Sequence, residues 1–216
     1  MSPSLSLLPV EPAVKRALTF IDGQNLFHSA RLAFGYTYPN YDVLALAGRL
    51  CRIQGWQSTQ GRFYTGIPAS SDDAGWHRFW SAKLAMMGRQ GIHVYSRPLR
   101  YRTKTVRLPN GEMVTFVAGE EKGVDVRIAL DVIRLAHRAE YDVALLFSQD
   151  QDLSEVAEEV RIISREQRRW LKIVCAFPSS SSSRNRRGID KTDWIRIDRA
   201  TYDACLDRQD YRSASH

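Results

Sequence analysis

Two aspartates, Asp150 and Asp152, stand directly after the apolar run Val143 to Phe147, in the segment Ser148-Gln149-Asp150-Gln151-Asp152-Leu153. Far upstream, a second apolar run, Ala17 to Ile21, enters Asp22-Gly23-Gln24-Asn25, and Asp125 heads a helical pattern from Val124 to Ala139. In α/β proteins, ligands gather at the turns that leave the carboxyl ends of buried strands. If these strands are parallel neighbours, the three segments converge on one sheet edge. At an effective dielectric of about 20, two unit charges roughly 4 Å apart repel by about 4 kcal/mol. Either the carboxyl pKa values rise or a divalent cation neutralises the cluster. Oxygen donors with no interleaved His or Cys favour Mg²⁺ or Mn²⁺ over Zn²⁺. A hard, partly hydrated ion of that kind activates water beside a phosphodiester and offsets charge on the leaving oxygen.

The rest of the composition agrees with this chemistry and excludes several others. A chain of 216 residues with 44% hydrophobic content can bury one sizeable core, and one elaborated domain, 17–207, is expected. A formal charge of +7 and a pI near 9.5 favour a polyanionic partner, although such a balance also fits plain solubility. Cys51, Cys175 and Cys205 are odd in number and widely spaced, which reads as reduced thiols in a cytoplasmic protein. The leader, 1–16, has a short Leu5-to-Val10 apolar stretch interrupted by prolines, and reads as neither signal peptide nor membrane span. The end, 208–216, reads as a tail. The His residues form no HxH or HxxxH pattern, and there is no Walker loop, GxSxG elbow or CxxC.

The elements that must position the acids alternate between strand and helix. A strand Ala17 to Ile21 is followed by a helix capped by Asp22 or Asn25 and ending near Gly35. A helix from Tyr41 to Gln54, a strand from Gly61 to Ile67, a long helix capped near Asp72-Asp73 and a strand from Ile92 to Tyr95 come next. Leu108-Pro109-Asn110-Gly111 then marks an inserted β-hairpin with arms Tyr101 to Leu108 and Glu112 to Val117. Arg100, Arg102 and Lys104 share one face of its first arm. After the helix from Val124 come a strand Tyr141 to Ser148, a helix from Leu153 to about Arg168 and a strand Leu171 to Phe177. A basic Ser/Arg loop, 179–188, a strand Trp194 to Ile197 and a short helix Thr201 to Leu206 close the chain. This order predicts an α/β fold with a central parallel sheet and helices on both faces.

Three segments resemble the motifs of NYN domains, which belong to the PIN-like nuclease superfamily and include LabA-like bacterial proteins. They are Phe20 to Leu26, Glu121-Lys122-Gly123-Val124-Asp125-Val126, and Ser148 to Leu153. The resemblance runs from about Ala17 to Asp198. It implies a PIN-like three-layer sandwich and a metal-dependent endonuclease acting on RNA, with single-stranded DNA as a second polymer to test. Asp22, Asp125, Asp150 and Asp152 match the family's acidic ligands, and Asp193, in the last acidic turn, is a weaker match. The chain departs from the family at Gln149, where Gly is usual, and that amide could serve substrate or a metal-bound water.

Each residue also has a plainer reading. Asp22 and Asn25 could be helix caps, and Asp125 an acid favoured by a helix dipole. Asp131 lies about 120° around the helix from Asp125, suited to pairing with Arg127 or Arg134. Lys122 could neutralise the carboxylates, touch a phosphate, or simply be solvated. Arg100, Arg102 and Lys104 fit either a protected sheet edge or an RNA-binding strip. Tyr101, Trp76, Trp80 and Trp170 could stack on bases, yet large aromatics at such spacings ordinarily belong to the core. Two rivals to the nuclease reading are an RNA-binding regulatory module without turnover and a phosphatase or nucleotidase on small substrates. The hairpin edge would also allow a homodimer.

Overall fold

Side chains along a strand alternate between its faces, and β1 (Arg16–Asp22) uses both. Ala17 and Ile21 enter one buried cluster, while Leu18 and Phe20 enter another. The same division holds in β6 (Val143–Phe147), with Val143, Leu145 and Phe147 on the first side and Ala144 and Leu146 on the second. Strands buried on both faces are near-continuous apolar runs. The computed structural model describes residues 9–181, 183 and 185–212. The first eight leader residues, Ser182 and Arg184 of the basic loop, and the last four residues of the tail lie outside the described residues.

β1 and β6 are the central pair of a six-stranded, wholly parallel sheet. β2 (Gln57–Ile67) and β3 (His93–Pro98) extend it on one side, β7 (Lys172–Pro178) and β8 (Asp193–Ile197) on the other. One layer of helices comprises α1 (Gly23–Phe34), α2 (Val43–Ile53), α3 (Ala74–Arg89) and the short α6 (Arg199–Asp203). The other comprises α4 (Val124–His137) and α5 (Ser154–Glu166). The molecule is therefore the three-layer α/β sandwich expected of a PIN-like chain. β4 (Arg100–Arg107) and β5 (Met113–Glu120) form a separate antiparallel ribbon inserted between β3 and α4.

Boundaries differ from the sequence reading in places. β2 begins at Gln57 rather than Gly61, because Gln57 and Ser58 pair with Arg16 and Ala17 while their polar side chains stay exposed. The hairpin arms shift to take in Arg100 and to reach Glu120, since those residues pair across the ribbon.

Aspartates start every helix of the first layer. Asp22, Asp42, Asp73 and Asp198 each accept a hydrogen bond from a backbone N–H three residues on, a cap contributing about 1 kcal/mol. Two buried charges tie distant elements together. Lys83 of α3, 1% exposed, donates to the Tyr41 carbonyl at 2.9 Å and to Asp207 Oδ2 at 2.7 Å. Asp131 of α4, also 1% exposed, faces Arg62, Arg127 and Arg134 at 3.6, 3.0 and 2.8 Å and accepts from the Tyr64 hydroxyl at 3.0 Å. Among the described residues no helix is long and apolar enough to cross a membrane.

Candidate functional site

The carboxyl ends of β1 and β6 open onto a depression of about 370 Å³. Asp22, Glu121, Asp125 and Asp150 line it, with Gln24, Asn25, His28, Lys122 and Gly123. Asp22 is the last residue of β1 and the N-cap of α1, where its Oδ1 accepts from Asn25 N at 3.0 Å. The tight exit from β1 depends on Gly23, since a Cβ there would lie 2.4 Å from Phe63 Cζ. Asp150 caps the 3-10 turn Gln151–Leu153 that follows β6. Asp125 sits in the first turn of α4. The parallel β1–β6 register thus brings together residues far apart in sequence.

Burial raises the Asp22 carboxyl to about 6; the Asn25 amide opposes this, and the charge of Asp150 adds to it. Glu121 is raised to about 7, first by burial and further by the charges of Asp22 and Asp125, against the Gly66 N–H that it accepts. The carboxylates of this pocket therefore sense one another electrostatically. Glu121 opens the second of the three motifs, but nothing in its local sequence marks it as a pocket residue. Its neighbourhood comes from the end of β2, which no local pattern announces. His28 likewise lines the pocket without belonging to any ligand spacing.

The other sequence candidates fall in different places. Asp152 is exposed and lies outside the acidic pocket, on a neighbouring depression with Glu155, Glu158 and Glu159; its backbone N–H donates to Asp150 Oδ1. Asn25 lines the pocket, and its Oδ1 also accepts from Gln149 N at 2.9 Å. Gln149 is buried behind the pocket with its amide engaged at both ends. Its Oε1 accepts from Ser29 Oγ at 2.8 Å and its Nε2 donates to the Arg187 carbonyl at 2.7 Å. The side chain that replaces the family's Gly thus braces α1 against the basic loop instead of reaching toward solvent. Lys122 is exposed at the pocket rim. Arg100, Arg102 and Lys104 are exposed on the ribbon and do not line the pocket, and Glu120 binds Lys104 at 2.7 Å and Arg102 at 3.8 Å. Asp193 opens β8 level with Val174, which aligns through Leu145 with Thr19, three residues short of Asp22. There it pairs with Lys172 at 2.6 Å, away from the pocket.

Among the described residues, no three His, Cys, Asp or Glu side chains are grouped so as to hold a metal ion as they stand. The donors around the open depression are mainly carboxylate oxygens, with the His28 imidazole also on its lining, and the carboxylates fit a hard ion that keeps part of its water shell, as Mg²⁺ ordinarily does. The buried, mutually repelling carboxylates are what such a charge would relieve.

The NYN domain model matches residues 16–188. No curated protein matches the chain. Among solved structures, a protein of unknown function from Vibrio parahaemolyticus aligns with a TM-score of 0.51 at 20% identity, covering 91% of this chain and 99% of that one. At that identity the likeness shows the fold alone. Ribokinase from Giardia lamblia aligns with a TM-score of 0.36 at 11% identity, over 82% of this chain and 54% of that one, too weak a likeness to bear on fold or function.

Proposed function

The chain belongs to the NYN domain family of PIN-like nucleases, and from that premise we propose that it is a metal-dependent endoribonuclease. What supports this is the acidic pocket itself: Asp22, Glu121, Asp125 and Asp150 on one open surface, with Asp22 and Glu121 drawn out of water. Bound Mg²⁺ or Mn²⁺ would supply positive charge against the phosphate oxygens and make water a better nucleophile at neutral pH. Asp22 and Asp150 would hold the ion most directly, with Asp125 and Glu121 completing the negative field. Asp152, one short turn away, would add to that field from outside. Lys122 at the rim would contact a phosphate, and Asn25 would hold the Asp150 turn against α1 through the Gln149 amide. Arg100, Arg102 and Lys104 would hold the strand beyond the site, once phosphates compete with Glu120 for them.

The deciding assay is cleavage of a labelled RNA of mixed structure in EDTA, Mg²⁺ or Mn²⁺, with wild type beside Asp22→Asn and Asp150→Asn. Products that require metal and disappear in both folded variants are expected. Equal behaviour of all three proteins would overturn the reading and leave an RNA-binding module without turnover. That rival gains from the absence, among the described residues, of three His, Cys, Asp or Glu side chains grouped to hold a metal ion as they stand. Phosphate released from mononucleotides with polymeric RNA left intact would instead point to a phosphatase.

A further inference from the structure

A second cavity, about 240 Å³, adjoins the acidic pocket, and Gln24 lines both. Its walls come from α1 through Phe27, from the start of α3 through Asp73, Trp76 and Trp80, and from the root of the ribbon through Tyr101. We propose that this cavity is a nucleobase subsite, which seats one unpaired base of the bound strand beside the phosphate at the acidic pocket. The identity of the ligand as a nucleic acid strand rests on the nuclease reading; the site itself rests on the following geometry.

Trp80 is a core residue at 4% exposure, whereas Trp76 and Tyr101 at the same cavity are 36% and 39% exposed. Large aromatic faces left open in a concavity are what stacking on a base requires. Trp76 is held rather than loose, since its ring packs edge-on against Phe79 with centroids 5.0 Å apart. Tyr101 is admitted by Gly119, its cross-strand partner: a Cβ there would meet Tyr101 Cε1 at 3.2 Å and Leu99 Cδ1 at 3.1 Å. On β4, Tyr101 faces opposite to Arg100 and Arg102, so the ribbon offers a ring on one face and cations on the other. The volume lies below the roughly 300–1,000 Å³ of sites that enclose whole drug-sized ligands, and suits one ring system.

The polar groups of the cavity bias the choice of base. Gln24 places one Nε2 hydrogen on the Gly66 carbonyl at 3.2 Å, which leaves Oε1 able to accept and the second Nε2 hydrogen able to donate. Asp73 is a carboxylate whose Oδ1 already takes the Trp76 N–H. With the Asp73 carboxylate and Gln24 Oε1 against a single amide hydrogen, acceptors outnumber donors, which favours a base with an exocyclic amino group over uracil.

The test uses full-length protein carrying Asp150→Asn with Mg²⁺ present, so that a short single-stranded RNA stays intact. An oligomer with one 8-azidoadenosine is photocrosslinked and the labelled peptide mapped, and affinities are measured by fluorescence anisotropy. Crosslinks at Trp76 or Tyr101 are expected. Adding Trp76→Ala should weaken binding of an adenosine oligomer about 5- to 100-fold, with Trp76→Phe recovering most of the loss. An abasic oligomer should bind the proteins with and without Trp76→Ala alike. Crosslinks confined to other surfaces, or a Trp76→Ala loss as large for the abasic oligomer, would overturn the subsite. The cleavage assay on otherwise wild-type protein is scored separately. Crosslinking at Trp76 without metal-dependent products would keep the subsite and reject the nuclease, and the reverse pattern would do the opposite.

Discussion

With Asp22 raised to about 6 and Glu121 to about 7, both side chains bind protons more tightly in the folded protein than in the unfolded chain. Stability from this source is fully present below the unfolded carboxyl range and is lost as pH rises through 6 to 7. In EDTA, the urea midpoint should therefore fall between pH 5 and pH 8, and added Mg²⁺ should restore part of it at pH 8 and little at pH 5. Asp22→Asn should flatten the fall. A midpoint that climbs steadily over that range in wild type would sink this assignment. At about 1.4 kcal/mol per tenfold change in proton affinity, the fall is a few kcal/mol at most. The neighbouring acids should grade by position: Asp150→Asn should abolish cleavage, whereas Asp152→Asn, outside the pocket, should lower it about tenfold or less. Asp22 and Asp150 mark the edges of local patterns in the chain, whereas Asp125 was picked out by the motif it sits in; all three line the pocket. Glu121 could not be placed there from the chain, because its burial and its hydrogen bond come from Gly66, 55 positions away.

The ribbon of β4 and β5 was legible from its turn, Leu108-Pro109-Asn110-Gly111, where Gly111 takes a φ of 89°. What the turn does not disclose is how β4 joins the Trp76 cavity at Tyr101, which depends on tertiary packing. Replacing Arg100, Arg102 and Lys104 together by Gln should leave the fold intact, as all three are exposed. RNA affinity should then depend less steeply on salt, with the log–log slope falling by about 0.7 for each phosphate that no longer meets a cation. An unchanged slope would separate the ribbon's charges from RNA. Within α4, Asp131→Ala should cost about 3–5 kcal/mol in denaturant unfolding, because it strands Arg62 in the interior without its carboxylate. The pairing of Asp131 with Arg127 and Arg134 followed from helical spacing; the reach of Arg62 and Tyr64 from β2 did not.

At the scale of the molecule, alternating strands and helices were enough to foresee parallel pairing and covered faces. They were not enough to place β1 and β6 side by side at the centre, since that adjacency joins Ala17 to Val143 across the whole middle of the chain. That pairing brings Asp22 and Asp150 to one edge, where Glu121 and Asp125 complete the acidic pocket. A comparable long reach ties Lys83 to Asp207 in the first helical layer. During synthesis α3 emerges well before Asp207, so until that residue clears the ribosome the Lys83 ammonium has the Tyr41 carbonyl and ring beside it but lacks its hydrogen-bonded carboxylate. Nascent chains should thus hold α3 loosely and resist protease there only once the segment carrying Asp207 is in place, so that maturation of the wall that carries Trp76 waits on a residue 124 positions downstream of Lys83.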